Sequence, residues 1–272
     1  MSTSIPSTHL TFHFDAKIHS AEATVQSIHP VSSLSEANSS LFKQISGNDF
    51  IVITERTIFH PQGGGQPSDV GNMTSSSGAN FTVTAARTDA EGLGHVLHLG
   101  SFATDARFQT GDKVTQTIDS ARRLYYSRLH TAGHVLGAAV RNLLQDKIPG
   151  FDELKASHFP DMASCEFLGS IGGENKEPIQ WKVDEYIDQA MPVEIDWWGE
   201  ADFKREGLER LIPEGMRGKE WAEKLRVVKI VGAEVYPCGG THVETTDKCG
   251  KTTVKKISRS KGTSRVSYSV VE

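Results

Sequence analysis

The sequence predicts an α+β protein in two parts, a small β-barrel over residues 1–118 and a domain of interleaved helices and strands over residues 119–272. Two observations lead there. Up to Asp119 the apolar residues form short β-branched runs broken by Gly, Ser, Asn and Asp, with no 3.6-residue period over a helical length; beyond it, long helical and strand-like stretches alternate. The charge divides at the same place: residues 1–119 carry six basic against eleven acidic side chains, and the remainder is balanced at 23 against 23.

The barrel strands are expected at Leu10 to Phe14, Ala23 to Ile28, Phe50 to Phe59, Phe81 to Ala86 and Val114 to Ile118, with exposed Ser-rich loops at 32–40 and 75–78. From Asp119 or Ser120, either able to cap, Tyr125, Leu129, Ala132, Leu136, Val140 and Leu143 recur at three- and four-residue steps, which predicts a long amphipathic helix. Pro149-Gly150 ends it. A strand at Ala163 to Leu168, a helix over Val183 to Ala190, a strand at Val193 to Trp198, a helix over Ala201 to Leu211 and a strand at Leu225 to Val231 follow. Two strands, Thr252 to Ile257 and Ser264 to Val271, close the chain around a basic turn. Without a regular βαβ repeat, this part reads as a layered structure rather than a parallel doubly wound sheet.

Composition excludes several classes. At 272 residues, 37% hydrophobic and net charge −5, the chain is not a uniformly basic nucleic-acid protein, so contact with nucleic acid has to be local. No run approaches the roughly 18 apolar residues of a spanning helix, and MSTSIPSTHL lacks the basic and apolar regions of a secretion signal. Cys165, Cys238 and Cys249 are an odd number with no C-x-x-C pair, which points to a reducing compartment. A soluble, cytoplasmic protein is expected, with no membrane contact and no obligate protein partner.

Two pairs of residues carry metal-ligand spacing. His130 and His134 stand one helical turn apart in HTAGH, a chelating geometry on a face expected to turn away from the core; Thr131 occupies the place where a zinc peptidase has its Glu base. Cys238 and His242, in PCGGTH, put a thiolate and an imidazole four residues apart around two glycines. Singly, each pair also fits a buried thiol and ordinary hydrogen-bonded histidines; two chelating pairs in one domain favour one zinc ion held by three imidazoles and one thiolate. Cys165 reads as core, and Cys249 has no companion. In HPQGGGQPSD, Gly63 to Gly65 permit positive φ and Gln66 offers an amide that donates and accepts, although the stretch also fits a plain loop. Residues 248–265 hold seven cations and no acid, a pattern suited to phosphates or to a solvated hairpin.

Taken in order, HPQGGGQPSD, RLHTAGHVLGAAV, IVGAEVYPCGGTHVETT and KKISRSKGTSRVSYSV resemble the editing module of alanyl-tRNA synthetase and, more closely, the free-standing AlaX alanyl-tRNA editing proteins of intermediate length. The resemblance implies an N-terminal β-barrel followed by a two-layer α/β editing domain of the type common to threonyl- and alanyl-tRNA synthetases. It implies hydrolysis in trans of mischarged tRNA(Ala), chiefly seryl-tRNA(Ala) and also glycyl-tRNA(Ala), with zinc on His130, His134, Cys238 and His242. The family's Gly-Gly-Gln carries over to Gly64, Gly65 and Gln66. Gln66 is the first choice for reading a serine hydroxyl, with Thr57, Thr131 and Ser157 of suitable chemistry. Lys251, Lys255, Lys256, Arg259, Lys261 and Arg265 are the candidate tRNA contacts. Three positions depart from the family's usual residues: His60 for Tyr, Glu234 for Asp and Tyr236 for Gln. They are the only hints of a second possibility, a zinc-stabilised RNA-binding accessory protein without hydrolytic activity.

Overall fold

A computed structural model describes residues 5–218, 221 and 223–271. The chain divides into two compact units, one up to Leu124 and one from Tyr125. No helix among the described residues is long and apolar enough to cross a membrane.

The first unit contains β1 (His9–Leu10), β2 (Ser20–Pro30), α1 (Glu36–Ser39), β3 (Phe50–Thr54), β4 (Arg56–Thr57), β5 (Gly71–Ser75), β6 (Asn80–Thr88), β7 (Val96–Phe102) and β8 (Lys113–Ile118). Six of them close a barrel in the order β2-β3-β7-β6-β5-β8, with every neighbouring pair antiparallel. Alternation does the sorting. In β8, Val114, Gln116 and Ile118 are buried while Lys113, Thr115 and Thr117 are exposed. β3 is buried on both faces: Val52 joins the barrel core, and Ile51 and Ile53 pack outside it with Val31 and Phe42 from the segment that carries α1. The expected strand at Leu10 to Phe14 shrinks to β1 and a 3₁₀ turn at Thr11–His13, while β5 and β7 are additional strands. β5, with sequence GNMTS, lacks the apolar alternation that reveals a strand in isolation.

The barrel interior is partly polar, and its polar groups are paired. Between β3 and β4 the ladder breaks at Glu55, and Gln116 serves the freed backbone. Its Oε1 accepts from Ile58 N–H at 2.9 Å, and its Nε2 donates to Thr54 Oγ1 and the Arg56 carbonyl, each at 3.1 Å. His98 lies 2.9 Å through Nδ1 from the Val52 carbonyl and 2.8 Å through Nε2 from Thr57 Oγ1. Burial pushes its pKa down to about 4. The neutral ring therefore donates from Nδ1 and accepts the Thr57 hydroxyl proton, and Thr57 Oγ1 accepts in turn from Phe59 N–H at 3.0 Å. Asp69 and Arg123 form a buried ion pair, and Arg123 also donates to the carbonyls of Ala16 and Ile58. Replacing only the arginine would leave a buried carboxylate, a loss of about 3–5 kcal/mol.

The second unit begins within α2 (Ser120–Leu144) and continues with β9 (Asp152–Ser157), β10 (Ser164–Leu168), α3 (Lys176–Asp188), β11 (Val193–Trp198), α4 (Glu200–Arg205), β12 (Leu225–Ile230), β13 (Glu234–Pro237), β14 (Thr252–Ser260) and β15 (Thr263–Val270). Two antiparallel sheets form, ordered β14-β15-β10-β9 and β11-β12-β13. Asp119 caps α2 by accepting from Arg122 N–H at 3.0 Å. The core joins α2 to Cys165 and Phe167 of β10, Val254 of β14, Val266 and Tyr268 of β15, and Ile179 and Val183 of α3. α3 starts seven residues earlier than expected, because Pro178 sits in the first turn, where a missing N–H costs nothing. α4 stops at Arg205 ahead of Gly207, whose φ is 68°, and a 3₁₀ turn at Glu209–Leu211 fills the rest of the expected helix.

One expectation is overturned. α2 is not amphipathic through its middle: every residue from Leu129 to Arg141 is buried, with His130 1% and His134 8% exposed. The face expected to meet solvent is covered by Tyr236 and the chain that follows β13.

The pH dependence of stability follows from His98. Its folded pKa lies near 4 against an ordinary 6.5, so the stability it confers is complete above pH 6.5 and is lost as the pH falls toward 4. Unfolding free energy measured in urea is expected to decline across that window, and His98→Gln should remove part of the slope. An unchanged slope would count against a neutral His98.

Candidate metal centre

His130 and His134 come from adjacent turns of α2, and Cys238 and His242 from the loop after β13. Their ligand atoms all lie within 4.8 Å of one another. Cys238 Sγ is 3.4 Å from His130 Nε2 and 3.4 Å from His242 Nε2. The loop reaches this position because Cys238 extends the β12 ladder, its N–H donating to the Arg226 carbonyl at 3.1 Å, while the Arg226 guanidinium donates back to the Cys238 carbonyl.

Two α2 hydroxyls one turn apart sew the loop to the helix. Ser127 Oγ lies 2.7 Å from Thr241 Oγ1. Thr131 Oγ1 donates to the Ser127 carbonyl at 2.9 Å and accepts from Val243 N–H at 3.1 Å. Its proton being used, it accepts from His242 Nδ1, also at 3.1 Å. This places the His242 proton on Nδ1 and turns a bare Nε2 toward the thiol, as a metal ligand requires.

The electrostatics suit a cation. Burial, with the nearby His158 and Arg226, holds His134 well below the ordinary histidine range, and its Nδ1 is buried without a hydrogen-bond partner. Burial raises the Cys238 thiol, against the opposing pull of Gly240 N–H and Arg226. A thiol so buried loses its proton most readily to a coordinated metal. Three imidazoles and one thiol with an orphaned nitrogen among them form a donor set for a single ion, of the kind that holds zinc. Cys165 and Cys249 are core residues outside this set.

Gly133 lets the support assemble. A β-carbon there would lie 2.4 to 2.5 Å from the ring of His158 and the hydroxyl of Tyr268. His158 stacks on His130 with ring centroids 4.1 Å apart and planes at 23°. Sequence patterns miss His158, Tyr268, Ser127 and Arg226, since none recurs at a chelating or catalytic spacing; a glycine between two histidines on a helix is the nearest signal.

Residues 7–122 match the family model described as tRNA synthetases class II (A), and residues 225–267 that described as the threonyl and alanyl tRNA synthetase second additional domain. The alanyl-tRNA editing protein AlaX-L of Pyrococcus horikoshii is 32% identical over 73% of this chain and 46% of its own length. AlaX-M of Methanosarcina barkeri is 28% identical over 83% of this chain and 90% of its own, and the alanine–tRNA ligase of Methanosphaera stadtmanae is 30% identical over 80% and 24%. The chain is similar to the AlaX-type alanyl-tRNA editing proteins over most of its length. It spans less than half of the AlaX-L relative and about a quarter of the ligase.

The other residues singled out in the sequence are placed as follows. Gly64 and Gly65, at φ 53° and 79°, form the centre of a two-residue turn closed by Gly63 and Gln66, whose N–H groups donate to each other's carbonyls at 3.2 and 2.9 Å. Gly64 is at the exposed tip and Gln66 is buried. The Thr57 and Thr131 hydroxyls are committed to His98 with Phe59, and to Ser127, Val243 and His242, which makes both supports rather than free contacts. Ser157 ends β9 opposite Ser164. Lys251, Lys255, Lys256, Arg259, Lys261 and Arg265 are exposed on or beside the β14–β15 hairpin. Arg265 is paired with Glu166, which also meets Lys155. Since β14 is an edge strand, its lysines also discourage edge-to-edge pairing. Of the unusual residues, Glu234 pairs with Arg141 and Arg210, Tyr236 packs on the His134 ring at 4.4 Å, and His60 contacts the Pro67 carbonyl through Nδ1.

Thr131→Val keeps the shape of the helix but removes the acceptor of the His242 proton. Metal affinity measured against a competing chelator is expected to fall about 10- to 100-fold with helix content unchanged. Wild-type affinity would mean that Thr131 does not orient the ligand.

Proposed function

We propose that this protein is a zinc-dependent aminoacyl-tRNA deacylase that clears mischarged tRNA(Ala) in trans, chiefly seryl-tRNA(Ala), with glycyl-tRNA(Ala) as a second substrate. The observation that carries the reading is the convergence of His130, His134, Cys238 and His242 in a chain similar to the AlaX proteins. The names of the two AlaX relatives, alanyl-tRNA editing proteins, support the substrate class.

A zinc ion bound there would supply Lewis acidity, lowering the pKa of a water or polarising an ester carbonyl. The chain's own part is to hold the His134 imidazole neutral, to place the His242 proton on Nδ1 and to keep the thiolate paired. Four protein ligands make a closed site and three leave a position for substrate. His242, on the loop that runs through Gly239 and Gly240, is the ligand proposed to give way. We assign Gln66, presented by the Gly64–Gly65 turn, and Ser157 to the aminoacyl group. Thr57 and Thr131 take supporting roles. Lys251, Lys255, Lys256, Arg259 and Lys261 are assigned to tRNA phosphates, with Arg265 partly neutralised by Glu166.

The decisive assay offers purified protein Ser-tRNA(Ala), Ala-tRNA(Ala) and a threonyl-tRNA control, with and without chelator. Hydrolysis of the seryl ester alone, abolished by chelation and restored by zinc, is expected; metal binding and tRNA binding without hydrolysis would establish the accessory-protein alternative. His242→Ala should still hold metal, at an affinity lowered at least as far as in Thr131→Val, and keep activity, where His130→Ala loses metal. Neutralising Lys255, Lys256 and Lys261 together should weaken tRNA binding and reduce the slope of log K against log salt by about two to three. A slope equal to wild type would remove the hairpin from the interface.

A further inference from the structure

His158 follows β9, is 2% exposed, and lies against His130 with its ring centroid 6.2 Å from that of His134. Its Nδ1 is 2.7 Å from Tyr268 Oη, and that hydroxyl donates its single proton to the Leu129 carbonyl at 2.9 Å. Tyr268 is left able only to accept from His158. The imidazole proton is thereby placed on Nδ1, and Nε2 presents a bare lone pair. Among the described residues no group bonds that nitrogen. The dyad fits only because position 133 lacks a side chain.

We propose that His158 Nε2 accepts the side-chain hydroxyl of the bound aminoacyl group, making His158 the residue that separates serine from alanine. The assignment rests on the deacylase reading above. A serine hydroxyl is a strong donor two bonds from the α-carbon, and the acceptor stands one stacked ring away from a metal ligand. An alanyl group would place a methyl against the lone pair and leave the acceptor desolvated and unpaired, the arrangement by which sites built for a hydroxyl reject its isostere. Thr131, close by, has no free proton or lone pair for this task. The α-ammonium is common to both amino acids, so an acceptor that read it would not discriminate.

The test measures binding of 3′-seryl-amino and 3′-alanyl-amino 3′-deoxyadenosine, whose amide links resist hydrolysis, to the zinc-loaded protein by calorimetry. The wild type is expected to prefer the seryl compound by about tenfold or more. His158→Phe keeps the stacked ring and removes the acceptor, and should bring the two affinities together with zinc content unchanged. Tyr268→Phe frees the imidazole tautomer while leaving the ring in place; it should erode the same preference, and it carries the test if His158→Phe fails to fold. A wild-type preference in either folded, zinc-loaded variant overturns the assignment, as does an equal loss for both compounds. A wild type that binds neither compound overturns the deacylase reading itself, and the assignment with it.

Discussion

The second unit is organised by a helix that has no solvent-facing side between Leu129 and Arg141. A helix buried all round is ordinarily apolar. This one carries Thr131 and two histidines through its buried length, and each must find partners or a ligand because an unpaired buried polar group is expensive. The surrounding structure answers that demand. Thr131 satisfies its own hydroxyl against the preceding turn and anchors the 238–243 loop, and the loop returns a thiol and a third imidazole to the helix. The remaining imbalance, an orphaned His134 nitrogen beside a thiol held protonated by burial, is what a cation resolves.

Close approach is the second half of this arrangement. Gly133 admits the His158–Tyr268 dyad, and one turn later Gly137 admits Tyr236 and Glu153, each within 2.7 Å of where a β-carbon would stand. Glu153 and Glu234 converge on Arg141, which places a charge network beside the candidate metal site rather than an apolar wall. Breaking one partner of such a network leaves another charged and buried, so the cost of disruption exceeds the worth of any pair. Glu234 and Tyr236 fall within this network and leave the four candidate ligands in place.

The barrel unit follows the same rule by different means. Gln116, His98 and Thr57 occupy an interior that alternation alone would fill with aliphatic side chains, and they settle the backbone groups freed where β3 gives way to β4. The glycine turn uses positive φ at two successive residues to expose its tip while Gln66 beside it is buried.

Much was determined by the sequence alone. Apolar and β-branched runs, several of period two, marked four of the six barrel strands, the change of pattern near Asp119 marked the start of the long helix, and two four-residue spacings picked out the four side chains that the structure gathers within 4.8 Å. These signals are local: a strand's alternation and a helical i, i+4 pair are properties of neighbouring residues. Tertiary structure decided what local patterns do not encode. The faces of α2 were assigned by what packs against them, so the histidines expected toward solvent are buried. The roles of Thr57 and Thr131 were set by hydroxyl partners one turn away or across the barrel. His158 and Tyr268, 110 residues apart, became a dyad only because the sheet and the helix meet at a position that carries no side chain.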